Sequence, residues 1–152
     1  MLTYGKQMQR IANAYIDAGE PWPASARQMA AWAIREGLWR PHPSALIDQC
    51  ADYLARAMRE EHISDPQGRT VRAKHVARVK QDGGQIALWA DIRTADRQHM
   101  EVAFQQRRQQ IVGDCTQLKT DVDSYNENRN PGPPIQMILD FTLDVEELEL
   151  AV

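Results

Sequence analysis

Apolar residues recur along the first third of the chain at the spacing of helices. Met8, Ile11, Ala12, Tyr15 and Ile16 form a stripe on one face, which predicts a helix over 5–18 ended by Gly19 and Glu20-Pro21. A second helix is expected after Pro23, with Ser25 as its N-cap, Met29, Trp32, Ala33 and Ile34 inward, and Gly37 as a left-handed C-cap onto which Leu38 folds back toward Ile34. Pro41 and Pro43 interrupt it. The third helix, 44–62, has Leu46, Ile47, Cys50, Tyr53, Leu54, Ala57 and Met58 inward, and Asp65-Pro66-Gln67-Gly68 turns the chain.

The period then changes from 3.6 to 2. Over 70–79, Val71, Ala73, His75, Ala77 and Val79 share one face, while Arg72, Lys74, Val76 and Arg78 share the other. Gln81-Asp82-Gly83-Gly84 is a turn that tolerates positive φ, after which Ile86, Leu88, Ala90 and Ile92 resume the alternation. A β-hairpin with an apolar and a basic face follows. From 95 to 128 the residues favour one long helix, with Phe104, Ile111, Leu118 and Tyr125 seven apart and Cys115 and Val122 between them. That seam either packs along its own domain or pairs with the same helix of a second subunit. Asn130-Pro131-Gly132-Pro133-Pro134 breaks the helix. Ile135, Met137, Leu139, Phe141 and Leu143 then alternate as a strand, before the acidic end 144–149.

The expected architecture is α+β and mainly helical: a three-helix part with a hairpin (1–94), a long helix for dimerisation (95–130), and a Pro-rich linker, strand and acidic tail (131–152). With 152 residues, 43% apolar and 26% charged, the chain has the composition of one soluble domain that needs no metal or disulfide staple. No stretch approaches a membrane span of roughly 18–20 apolar residues, and the N-terminus lacks the apolar core of a signal peptide. A cytoplasmic protein with no membrane partner is therefore expected. Cys50 and Cys115 read as small buried side chains, not a disulfide.

The net charge of −3 conceals a segregation. Residues 66–120 carry 10 Lys/Arg against 5 Asp/Glu, whereas residues 121–152 carry 1 against 8. Catalytic chemistry is harder to find. His42, His62, His75 and His99 lack metal-ligand spacing, Gly83-Gly84 sits in a hairpin turn and not between a strand and a helix, and no serine lies in a nucleophile elbow. No catalytic residue, metal ligand or cofactor is assigned, and a non-enzymatic protein is expected.

Three helices followed by a basic hairpin, with the stretch AAWAIREGL at 30–38 before the turn, resemble a winged-helix domain over residues 5–93. The resemblance rests on element order and has no diagnostic motif. It implies DNA binding, with helix 3 in the major groove and the hairpin on the backbone. The matching positions are Ser44, Gln49, Arg56 and Arg59 on helix 3, and Arg69, Arg72, Lys74, Arg78 and Lys80 on the hairpin. Against this, helix 3 holds 2 Lys/Arg and 4 Asp/Glu, and a basic edge strand also serves simply to prevent aggregation. The alternative is a protein-interaction module that binds no nucleic acid and uses its long helix or tail. Within the tail, Gln136, Leu139 and Phe141 are similar in spacing to peptides that bind the bacterial sliding clamp, although the same residues fit a strand. The acidic end, 140–149, is also a candidate mask for the basic hairpin.

Overall fold

The computed structural model describes residues 3–151, apart from the side chain of Ser44. Among the described residues the protein is α+β, with five α-helices and two two-stranded antiparallel sheets. No helix among them is long and apolar enough to cross a membrane. The chain divides into two compact units, 1–54 and 55–152.

In the first unit, α1 (Tyr4–Asp17) and α2 (Ala26–Arg35) bury Tyr15, Trp32 and Ala33 against Ile11, Ala14, Ala24, Met29 and Trp39. The rings of Tyr15 and Trp32 meet edge to face at 5.4 Å, an arrangement worth about 1 kcal/mol beyond area burial. The Tyr15 hydroxyl donates to the Pro21 carbonyl at 2.8 Å, so its polar end is satisfied where the connecting loop crosses it. The helix signals act as expected. Ser25 and Gln28 form a reciprocal capping box. Gly37, at φ +72°, closes a Schellman motif in which the Leu38 N–H donates to the Ala33 carbonyl and the Gly37 N–H to that of Ile34. Leu38 and Ile34 themselves stay exposed.

The third helix, α3, spans Leu46–Glu60 after a 3-10 turn at Pro43–Ala45. Its expected inward stripe is not buried: Leu46, Ile47, Tyr53 and Leu54 are exposed, and so is Cys50, because no other helix or strand among the described residues packs extensively along α3. Cys115 is half-buried, so neither cysteine is the buried side chain expected; both are free thiols.

The second unit differs from the expected single hairpin in one respect. The helix stops before His62, whose Nδ1 lies 2.7 Å from the Glu60 carbonyl, and β1 (His62–Ser64) pairs with β2 (Thr70–Arg72) across the Asp65–Gly68 turn. The expected strand over 70–79 is therefore interrupted at Ala73, which is fully buried and donates its N–H to the Glu61 carbonyl. Beyond it, β3 (Lys74–Gln81) and β4 (Gly84–Asp91) form the main hairpin. Its register places His75 opposite Ala90, Ala77 opposite Leu88 and Val79 opposite Ile86, which is the apolar face read from the alternation. Asp82 and Gly83, both at positive φ, make the two-residue turn whose twist suits a hairpin.

The long helix α4 (Arg97–Asn128) begins at the Asp96 N-cap, and Gly113 does not interrupt it. Its first half packs on β3. His99 Nε2 donates to the His75 carbonyl at 3.0 Å, Phe104 meets the His75 ring edge to face at 5.4 Å, and Ala103 is buried. Gln106 uses both ends of its amide on one residue, accepting from Arg78 N–H at 2.7 Å and donating to Arg78 C=O at 2.8 Å. A side chain thus satisfies a strand edge that has no third strand.

After α4 the expected strand is not formed. Residues 131–141 contain no strand, and a short helix, α5 (Thr142–Leu150), takes up much of the acidic end. The reason is the absence of a strand partner. Asn126 holds both the N–H and the C=O of Ile135, at 2.9 and 2.8 Å, and Leu139 and Phe141 lie along α4 beside Val112, Cys115 and Thr116. The apolar alternation is thus used against a helix.

An ion cluster ties β1 to the hairpin. Lys74 Nζ lies 2.7 Å from Glu61 and 3.4 Å from Asp91, and Arg93 lies 2.7 Å from Asp91. The side-chain and backbone hydrogen bonds from Arg93, with a further one from Lys74, hold the Asp91 carboxyl well below the usual carboxylate range. The Glu61 and Asp91 carboxylates raise Lys74. A lowered acid stabilises the fold above its unfolded pKa and loses that contribution as pH falls through its folded one; a raised base does so below its unfolded pKa and loses it at alkaline pH. Asp91→Asn should therefore lower the unfolding midpoint at pH 7, with the deficit shrinking as pH drops below 3.8; a deficit independent of pH overturns this assignment. Gln106→Ala should cost about 1 kcal/mol in denaturant unfolding and speed hydrogen exchange at the Arg78 amide, whereas Gln106→Glu, which keeps the acceptor, should protect that amide. Unchanged exchange in Gln106→Ala would remove the edge contact from the account.

Candidate nucleic-acid interface

The alternation that puts His75 and Ala77 under α4 puts Lys74, Val76, Arg78 and Lys80 on the opposite face of β3, across from Asp91, Trp89, Ala87 and Gln85 of β4. Where this face meets the strand edge sealed by Gln106, a shallow crevice of about 70 Å³ opens. Arg59, Arg72, Lys74, Arg78 and Arg107 all line it, together with Trp89 and Gln110.

These cations are not equivalent. Lys74 is neutralised by Glu61 and Asp91, and Arg69 by Asp65 at 2.8 Å within the β1–β2 turn. Arg59 stacks its guanidinium over Trp89, 5.5 Å from the ring centroid, which holds it at the crevice without cancelling its charge. Among the described residues, Arg72, Arg78 and Arg107 form no ion pair. Burial, and then the charge of Arg72, lower the Arg107 pKa. Arg72 and Arg107 thus line one crevice without a carboxylate ion pair to either, and an arriving anion would relieve the repulsion between them. Planar forks of N–H donors suit phosphate oxygens in particular.

The structure gathers only part of the residue set read from the sequence. Arg59, Arg72, Lys74 and Arg78 come together; Lys80 is exposed near the hairpin turn and Arg69 is held in its own turn. On α3, Arg56 is exposed, and Gln49 belongs to the first unit and donates to Tyr53. Arg107, Gln110 and Trp89 were not singled out by the sequence. Arg107 follows Phe104 by three positions on a helix, and Trp89 stands opposite Val76, so both could have been found by continuing the basic face across the hairpin and onto the helix.

Three other candidates can be placed. The seam residues Phe104, Ile111, Leu118 and Tyr125 are each partly exposed, whereas Cys115 and Val122 are half-buried beside the returning tail. Of the tail residues, Gln136 is exposed, while Leu139 and Phe141 lie against α4, so a clamp-like peptide would have to leave that helix to insert them elsewhere. No ion pair among the described residues joins 140–149 to the hairpin, and the Asp140 carboxylate instead accepts from the Thr142 N–H and hydroxyl. In the first unit, a cleft of about 350 Å³ between α1 and α2 is lined mainly by apolar groups of Met8, Ile11, Met29, Ile34 and Trp39, and the Trp39 indole N–H donates to the Tyr4 hydroxyl at 3.3 Å. Among the described residues no group of three or more His, Cys, Asp or Glu gathers to hold a metal ion. Neither a family model, nor a curated protein, nor a solved structure matches the chain.

Proposed function

We propose that the protein is a non-enzymatic DNA-binding protein of regulatory or accessory type, which holds the phosphate backbone in the arginine crevice of its second unit. The observation that carries this reading is the convergence of Arg59, Arg72, Arg78 and Arg107 from a helix end, two strands and the long helix, with Arg72 and Arg107 lacking any carboxylate partner among the described residues. Charged strand edges that only prevent aggregation need no such convergence from separate elements. The winged-helix resemblance is consistent with this use of the hairpin, but the acids of α3 disfavour that helix as the element entering the groove. The docking element in this reading is the face of β3 and β4 with the flank of α4. Contacts of this kind grip phosphates and give orientation, with little base discrimination.

Titration of the full chain with duplex DNA at two salt concentrations should show binding that weakens as salt rises, with a log–log slope of about −0.9 per phosphate neutralised. The triple variant Arg72→Ala, Arg78→Ala, Arg107→Ala should lose roughly tenfold or more in affinity and flatten the slope, while keeping the helical signal. Lys74→Ala should behave oppositely: its ion pairs are structural, so the thermal midpoint falls while DNA affinity at low temperature changes little. Absence of salt-dependent binding, or a triple variant that binds as the wild type does, overturns the proposal and favours a protein-interaction module.

A further inference from the structure

One side of α4 carries a stripe that the chain covers only in part: Phe104 meets the His75 ring at 5.4 Å and Ile111 borders the tail beside Leu139 and Phe141. Phe104, Ile111, Leu118 and Tyr125 repeat every seven residues and keep 49, 52, 40 and 45% of their surface exposed. The tail borders one flank of this stripe, beside Ile111, Val112, Cys115, Lys119 and Val122. Four large side chains in a row on a helix of 32 residues need a partner of matching length and period, and the heptad spacing is that of a helix packing on a helix.

The charges identify the partner and its direction. Within α4, Arg97 pairs with Glu101 at 2.8 Å and Lys119 with Asp123 at 2.7 Å. Once these cancel, the first half of the helix retains Arg107 and Arg108, and the second half Asp114, Asp121 and Glu127. A parallel second copy would lay acidic half on acidic half and basic on basic. A reversed copy puts each basic half beside the other's acidic half and sets the helix dipoles head to tail.

We infer that the protein forms a twofold dimer in which the α4 helices pack antiparallel along the Phe104–Tyr125 stripe. The midpoint of the stripe falls between Asp114 and Cys115, so Ile111 of each copy meets Leu118 of the other and Phe104 meets Tyr125. The same register sets Arg108 level with the other copy's Asp121. The inference does not rest on the DNA-binding reading: the four stripe residues lie outside the crevice, and Arg107, which the two share, enters here only as charge beside Arg108.

The mass of the full chain, measured by sedimentation without nucleic acid, should be that of a dimer at micromolar concentration. Leu118→Lys, at a position already exposed, should leave the circular dichroism unchanged and weaken the dimer by about tenfold or more, because it places an ammonium in the seam. Direction is read by a spin label at Glu127→Cys in a Cys50→Ser, Cys115→Ala background that retains the wild-type mass. The antiparallel register predicts a label separation of about 40 Å from the helical rise, whereas a parallel pair predicts about 10 to 20 Å. A monomeric wild type, a Leu118→Lys protein as dimeric as the wild type, or a short label distance each overturns the inference. Loss of the dimer with DNA affinity retained separates its fate from that of the proposed function.

Discussion

Two side-chain amides on α4 do the work that neighbouring strands would do in a larger sheet. Gln106 bonds both backbone groups of Arg78, and Asn126 bonds both backbone groups of Ile135. The first seats the hairpin on the helix, and the second turns the chain back along it. Twenty residues separate them, about 30 Å at the helical rise, so one rigid helix organises the hairpin at one end and the tail at the other. Each unmet strand edge would leave backbone donors and acceptors without a fixed partner, and a planar amide presents the complementary pair on one group. The place of Arg107 beside Arg78 follows from the first contact, since it decides which flank of α4 lies beside β3.

The basic middle of the chain is accordingly two populations of charge. Lys74, Arg69 and Arg93 are structural, each against a carboxylate within a turn or across the β1–β3 junction. Arg59, Arg72, Arg78 and Arg107 are left over, and none of the four forms an ion pair among the described residues. A count of Lys and Arg treats all of these alike. Their difference lies in geometry: the acid at 91 is within reach of 74 and 93 because of the strand register, and no equivalent acid faces 72 or 107.

Local rules were legible where the outcome is decided locally. The Ser25 capping box, the Gly37 Schellman motif, the Asp82-Gly83 turn and the register of β3 on β4 all follow from a few adjacent residues and one alternation. The same alternation misled at 135–143. Period 2 there reports an extended segment with one apolar side, and the sequence pattern does not say whether its partner is a strand or a helix. The stripe on α3 misled for a related reason: amphipathicity states that a face is suited to burial, and Leu46, Ile47 and Leu54 show that suitability is not burial. β1 escaped notice because three residues after a helix are too short to display a period.

The sequence by itself determined the three N-terminal helices, the main hairpin, the long helix with its heptad of apolar residues, and the separation of basic middle from acidic end, because each depends on neighbours within a turn or a strand pair; it did not give β1 or α5. Only the tertiary structure decided which arginines stand together, which are already neutralised, and that the tail returns along α4. Those outcomes turn on side-chain contacts whose spacing runs from 2 positions, Arg93 with Asp91, through 9, Asn126 with Ile135, to 28, Arg78 with Gln106, where reach and direction of side chains, and not local preference, select the partner.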